Sequence, residues 1–495
     1  MNKQQRQMQY TAGCILAAML LSFAVGCGQK EDTDTSDTAQ NAGNDSAVTT
    51  ALAEEQPKTP LYEMEPKDFG GRDFRISVNE KYESEMWVPK YNNDVCNDAV
   101  YARNLLIEDY FNVKIKVVTT PSTSNEGQVQ EIQRNLMAND DVYDLTAAYT
   151  YLAGVPVLEG LYYDWHDVPV VDFSREWWVQ SANEAFSIAG KQYVAVGDLS
   201  ITTLLLSYGV FFNQQLAQNQ DLPDLYQMVL DGKWTIDQLI TLSKDVYQDL
   251  NNDGKADADD MFGFAADKVT NLDAYSAAFD TPLIGLDDSG LPTIVLDMDR
   301  FTRGLDKVLS LYYDSPAYVN GKTGSEIDVF AAGRVLFLTT WMNNAFTTFR
   351  EMKDDYGILP YPKLDEAQEN YYSNAMDNYS LLGVPKTVQD LNFVGTIVEG
   401  MTRENHTSVV PAYYNVALTD KYARDEQSVA MLDIIMNGRQ YDFSILHGKK
   451  MADFPYMFRS LVAAKNNNAA SKFEKIRPKV EASLKELIET YQSLE

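Results

Sequence analysis

Residues 72–118 switch between two periodicities, and that switch restricts the fold more than any other feature of the chain. Phe74, Ile76 and Val78 take alternate positions in Arg72–Asn79, the spacing of a strand with one buried face. Asn97 to Phe111 then places Ala99, Ala102, Leu106 and Tyr110 on one helical stripe, and Asn112 to Val118 returns to alternation. Strand, helix and strand in that order open an α/β fold. Further along, Gly127 to Met137 reads as a helix and Asp141 to Ala148 as the next strand. Val194 to Asn213 is expected to be strand-rich. Thr235-Ile-Asp-Gln238 is a capping box that starts a helix with Ile236, Leu239, Ile240, Ser243 and Tyr247 on one face. Ser471 to Ser493 reads as a long charged helix.

The N-terminus has its own logic. Lys3 and Arg6 precede an eleven-residue apolar run, Ile15 to Val25, and Ala24-Val25-Gly26 lead into Cys27. A basic start, a short apolar core and small residues before the cut describe a signal peptide. The run falls short of the roughly 20 residues that span a bilayer. The cysteine after Gly26 resembles a bacterial lipobox, which makes residues 1–26 a lipoprotein signal peptide and Cys27 the lipidated terminus. Residues 27–59 are rich in Asp, Glu, Thr and Ala and nearly devoid of large apolar side chains. Such a stretch buries too little to offset its ordering entropy, so it is expected to be a disordered tether.

The remaining residues, roughly 435, exceed what one core fills, and two lobes are expected. Without Lys3 and Arg6 the chain holds 39 basic against 72 acidic residues. That balance disfavours nucleic acid as a partner. Only Cys27 and Cys96 remain after processing, so no disulfide framework forms. His166, His406 and His447 lack metal-ligand spacing. No nucleophile elbow, zinc-protease motif, P-loop or dinucleotide fingerprint is present, and the chain is read as a binding protein rather than an enzyme.

Several segments together resemble the family 1 extracellular solute-binding proteins, the group of maltose-binding protein. They are Gly190-Lys-Gln-Tyr193, Gly209-Val-Phe-Phe-Asn-Gln-Gln-Leu216 and Trp234-Thr-Ile-Asp-Gln-Leu-Ile240, then Ala332-Gly-Arg-Val-Leu-Phe337 followed by Trp341. Tyr356-Gly-Ile-Leu-Pro-Tyr-Pro362 and Val409-Val-Pro-Ala-Tyr-Tyr414 with Tyr422-Ala-Arg-Asp425 complete the set. The resemblance covers nearly all of residues 65–495. It implies two α/β lobes of the type II periplasmic-binding-protein kind, a hinge, and solute held in the cleft between them. One lobe is expected to take 60–165 and 320–385, the other 166–319 and 386–495. The family also implies a monomer, lipid-anchored at the extracellular face of the membrane, delivering a carbohydrate to ABC transporter permeases. A peptide, a polyamine, another organic solute or a solute-presenting sensor subunit are the alternatives.

Asp249 to Asp260 fits a twelve-place calcium loop. Asp249, Asn251 and Asp253 hold places one, three and five, and Gly254 takes the sharp turn. Lys255 offers its carbonyl, Asp257 sits at nine and Asp260 at twelve, where a glutamate is usual. A structural Ca²⁺ is the expected cofactor.

A sugar needs aromatic platforms ringed by planar polar groups. Trp341 is the first candidate, with Asn343 and Asn344 beside it. Phe212, before Asn213, matches a cleft aromatic of the family. Tyr149 and Tyr151 follow the strand ending at Ala148, where a cleft loop is expected. Asn378, Tyr413, Trp87 and Tyr372 are further candidates.

Overall fold

A computed structural model describes residues 60–120, 125–320, 324–419 and 426–494. The signal segment, Cys27 and the tether lie outside the described residues. Within the body, Asp94 caps helix α1 (Val95–Phe111) by accepting from the amides of Cys96 and Asn97, and Asn112 ends it in the left-handed region at φ 47°. The helix returns the chain to pair β2 (Val113–Thr120) in parallel with β1 (Arg72–Asn79). Helix α2 (Asn125–Met137) then brings β3 (Leu145–Tyr149) to the other side of β1, again in parallel. The fourth strand of this sheet, β11 (Ser380–Gly383), arrives from far along the chain and runs antiparallel to β3.

A second sheet has the order β10–β4–β9–β5–β8. Its members are β4 (Tyr208–Asn213), β5 (Phe262–Asp267), β8 (Tyr318–Asn320), β9 (Val335–Trp341) and β10 (Tyr356–Leu359). A short hairpin, β6 (Ile284–Leu286) with β7 (Pro292–Ile294), stands apart. Two of these placements differ from the sequence expectation. β9 and β10 fall in 320–385, expected with the first lobe, yet they pair with β4 and β5. The chain returns to the first sheet only after residue 373. Conversely, α4 (Leu391–Glu404), expected with the second lobe, packs Phe393, Ile397 and Met401 into the core under β1 and α1. Between 194 and 213 only β4 is a strand, and Thr202–Leu205 is a helical turn. Ala195 bridges Leu382 of β11 in the first sheet, and the rest of the apolar run passes between the sheets.

The two passages lie side by side. Ser207 forms an antiparallel bridge with Ala375. Tyr208 donates its amide to Asn374 O at 3.1 Å, and Met376 donates to Leu206 O at 2.9 Å. The chain's C-terminal helices, α5 (Met457–Ala463) and α6 (Ala469–Ser493), pack on the helix Met298–Tyr313 of the second sheet. The preceding segment also reaches the first: a Cβ on Gly154 would sit 2.5 Å from Leu446 O. Among the described residues no helix is long and apolar enough to cross a membrane.

Trp177 and Trp178 are adjacent and both interior. Each indole N–H donates to a different oxygen of the fully buried Glu399, at 3.0 Å. Arg403 Nε donates to the same carboxylate at 3.1 Å and its guanidinium lies 4.6 Å over the Trp177 ring. Removing one member of such a group strands the others without partners. Glu399→Ala is therefore expected to lower unfolding free energy by about 3 kcal/mol in urea titration; a loss under about 1 kcal/mol would show the network to be weak.

Candidate functional site

A cluster of polar and aromatic side chains lies next to the paired passages. Asp377 lies on the second passage, and its main-chain carbonyl takes the amide of Tyr151 at 3.1 Å. Its Oδ2 accepts the hydroxyl of Tyr456 at 2.6 Å. The Tyr456 ring is 6.1 Å from that of Tyr151 and 4.2 Å under the guanidinium of Arg459. Arg459 in turn donates to Asp273 Oδ2 at 2.9 Å. Burial, helped by the charge of Asp377, pushes the Tyr456 hydroxyl far up, so it remains a donor.

These residues divide two hollows. One, of about 400 Å³, runs between Tyr151 at the start of helix α3 (Thr150–Leu158) and the C-terminal helices, with Asp453, Arg459 and Lys472 on its walls. The other, about 100 Å³, lies on the far side of Asp377 and Tyr456 against residues 273–283 and 440–445. The larger hollow has two aromatic faces and two charges of each sign. That lining offers aromatic faces together with hydrogen-bond donors and acceptors. An ion pair between Lys449 and Glu126 joins α2 to the C-terminal segment across its edge.

Behind this cluster, Glu85 fastens three parts of the chain. Its Oε1 accepts from the amide and hydroxyl of Thr202 at 3.0 and 2.8 Å, and its Oε2 from Ser380 Oγ at 2.7 Å. Thr202 precedes the first passage and Ser380 follows the second. Burial pushes the Glu85 carboxyl up to about 7 against the pull of those hydrogen bonds.

The expected site residues are dispersed. Tyr151 lines the larger hollow. Asn378 is half-buried one residue after Asp377. Trp341 is half-buried at the end of β9, opposite Tyr208, and so at the edge of the second sheet nearest the passages. Asn343 is half-buried beside it, and Asn344 turns inward to Thr340 Oγ1 at 2.8 Å. Tyr149 is 2% exposed, its ring 5.6 Å from that of Tyr82. Phe212, 5% exposed, packs on Tyr226 at 5.6 Å inside the second sheet's core. Tyr413 is an interior side chain against Phe346 at 5.4 Å. Trp87 packs on the first core and Tyr372 is half-buried. Asp377, Tyr456, Arg459 and Asp273 were not anticipated. Tyr456 stands in a Phe-Pro-Tyr triplet whose sequence carries no signal of the distant Asp377.

The acidic loop is well formed. Gly254, at φ 76°, donates its amide to Asp249 Oδ2 at 2.9 Å, and Leu250 donates to the fully buried Asp260 Oδ1 at 3.0 Å. Asn251 and Asp253 accept from the amides of Asp253 and Lys255, and Asp257 from that of Asp259. Tyr247 bonds Asp260 Oδ2 at 3.1 Å. The side chains thus cap their own loop, and among the described residues no three acidic, histidine or cysteine side chains converge as a metal site. Lys255 O faces the Tyr247 hydroxyl at 3.5 Å.

No protein-family model and no curated protein sequence matches the chain. Solved structures do. An ABC substrate-binding protein of Listeria monocytogenes, in complex with cycloalternan, superposes with a TM-score of 0.54 at 13% identity, over 84% of this chain and 99% of that one. RafE of Streptococcus pneumoniae, in its apo form, matches with a TM-score of 0.52 at 16% identity, over 85% and 100%. UgpB of Mycobacterium tuberculosis, in complex with glycerophosphocholine, gives 0.53 at 12%, over 85% and 99%. The chain has the two-lobed α/β fold of these substrate-binding proteins.

The Glu85 carboxyl makes a pH prediction. Its ordinary value is 4.5 and its folded value about 7. Between those limits the folded chain holds a proton that the unfolded chain has lost. Its contribution to stability is thus present below pH 4.5 and falls as pH rises to about 7, by about 3 kcal/mol in all. Chemical denaturation of Glu85→Gln against the wild type is expected to show that slope removed across the window; parallel curves would refute the assignment.

Proposed function

We propose that the chain is an extracellular, lipid-anchored solute-binding protein of an ABC importer, capturing a carbohydrate between its lobes without altering it. The observation that carries the reading is the aromatic and charge-balanced hollow at Tyr151, Tyr456, Asp377 and Arg459, beside the passages between the sheets, in a chain with this fold. Aromatic faces would take the apolar C–H surfaces of a sugar, and the carboxylate and guanidinium its hydroxyls. Trp341 and Asn343 would close the site from the second sheet. Cys27 would carry the lipid at the outer face of the membrane, and permease subunits would read the closed form of a monomeric receptor. Solute would act by favouring that closed form.

A second reading, a binding protein for a different organic solute, is favoured by one observation: a structure of the same fold holds glycerophosphocholine. Calcium remains our proposed occupant of the loop at Asp249, Asn251, Asp253, Lys255, Asp257 and Asp260, on the spacing of its oxygens. The loop amides take one oxygen each of Asp253 and Asp257, which leaves acceptor sites on these carboxylates for a cation.

Thermal melting against mono- and oligosaccharides, amino acids, peptides and polyamines tests the capture. A sugar at 100 times its dissociation constant is expected to add about 2.7 kcal/mol of stability. Tyr456→Ala is expected to weaken that sugar at least about tenfold, or 1.4 kcal/mol, by calorimetry, and mass spectrometry to find the sugar unchanged. A response to peptides alone would overturn the carbohydrate assignment. For the loop, millimolar Ca²⁺ is expected to raise the melting temperature of the wild type and not of Asp249→Ala; equal curves with Ca²⁺ and with chelator would remove calcium.

A further inference from the structure

The smaller hollow has a chemistry different from its neighbour's. Asp273, Asp280, Asp377 and Asp442 stand on its walls, with no lysine or arginine among the lining residues. Arg459 answers Asp273 from outside, through Oδ2. Asp442 is committed to the hydroxyl of Ser444 and the amides of Ser444, Leu283 and Ile284. It therefore adds negative potential rather than a free acceptor. Tyr441, Tyr456, Pro282, Leu283 and Pro455 supply the apolar surface.

A second observation concerns hydrogen bonding. Asn374, 7% exposed, lines this hollow, and its Oδ1 has no hydrogen-bond partner in the chain. Its Nδ2 is turned away, onto Asp273 O at 3.4 Å. Asp273 Oδ1 and the Tyr441 hydroxyl, on the same walls, are likewise buried without partners. A buried polar atom needs a partner. Asn374 Oδ1 can only accept, and Asp273 Oδ1 accepts from a cation that keeps its carboxylate ionised against the burial that pushes it well above its ordinary value. The third acceptor, the carboxylate of Asp377, is held by a single phenol on Oδ2. What the hollow lacks is a group that donates several hydrogen bonds, carries positive charge and tolerates aromatic walls.

We propose that this hollow receives a primary ammonium group of the captured solute, with Asp273 Oδ1, Asn374 Oδ1 and Asp377 as acceptors. An ammonium has three donors and no acceptor, matching three acceptors around one small space. The rings of Tyr441 and Tyr456 add cation–π attraction. The inference rests on the solute-capture reading and narrows it to solutes bearing a free amine, whether an amino sugar or a diamine.

Calorimetry of the purified protein at pH 7 with D-glucosamine, N-acetyl-D-glucosamine, D-glucose, maltotriose and 1,4-diaminobutane tests it. An amine is expected to bind at least tenfold more tightly than its neutral counterpart. Glucosamine binding over glucose and the N-acetyl form assigns an amino sugar, whereas diaminobutane binding without glucosamine assigns a diamine. Asp377→Asn and Asn374→Leu are each expected to remove that preference. Neutral sugars binding as well as or better than the amines overturn the ammonium site and leave carbohydrate capture standing. Silence of the whole panel overturns both. The comparison among solutes is made on the wild-type protein, so it decides between these outcomes even where a variant fails to fold.

Discussion

Everything in this molecule is organised by two stretches of chain that pass between the sheets and hydrogen-bond to each other. Leu206 to Tyr208 goes out and Asn374 to Met376 comes back, antiparallel, joined at Ser207 and Ala375. One such strand would be a flexible tether between lobes. Two in register form a narrow ribbon that can bend but resists sliding and twisting. A paired connection of this kind is one about which hinge displacements can occur. Beside the ribbon, residues carried by both sheets come close together, so a solute bound there would meet both lobes.

The polar groups around the ribbon follow from this. Glu85 reaches Thr202 on one side and Ser380 on the other, and Asp377 reaches Tyr456. A carboxylate buried as deeply as that of Glu85 is expensive unless its oxygens are satisfied, and they accept from two hydroxyls and an amide. Hydrogen bonds to neutral donors hold the ribbon's surroundings in place, and the buried Arg103 adds an attractive charge at Glu85. The side chains facing the hollows differ, because several polar atoms there lack partners within the chain.

The parts of the fold that local rules govern were legible. The alternation at 72–79, the helix through 97–111 and the threonine cap at 235 all correspond to observed elements, because each is decided by residues a few places apart; the helix, however, buries Val100, Ile107 and Phe111 rather than the expected stripe of Ala99, Ala102, Leu106 and Tyr110. The long C-terminal helix was legible for the same reason. Sheet membership was not. β9 and β10 coincide with segments that carry the family resemblance, but nothing in their own residues states which sheet they join. The site was less legible still. Tyr456 meets Asp377 across 79 residues and Arg459 meets Asp273 across 186, so their partnership exists only once the chain is folded. Phe212 illustrates the converse: an aromatic beside a family-like asparagine is fully occupied in packing on Tyr226.

The central claim is that solute draws the two lobes together about the paired passages. Small-angle X-ray scattering of the protein, with and without the solute that most raises its melting temperature, tests this directly. A smaller radius of gyration in the loaded form, lost again in Tyr456→Ala, is the predicted result. Superimposable scattering curves at saturating solute would contradict it, and would mean that the site fills without the lobes moving.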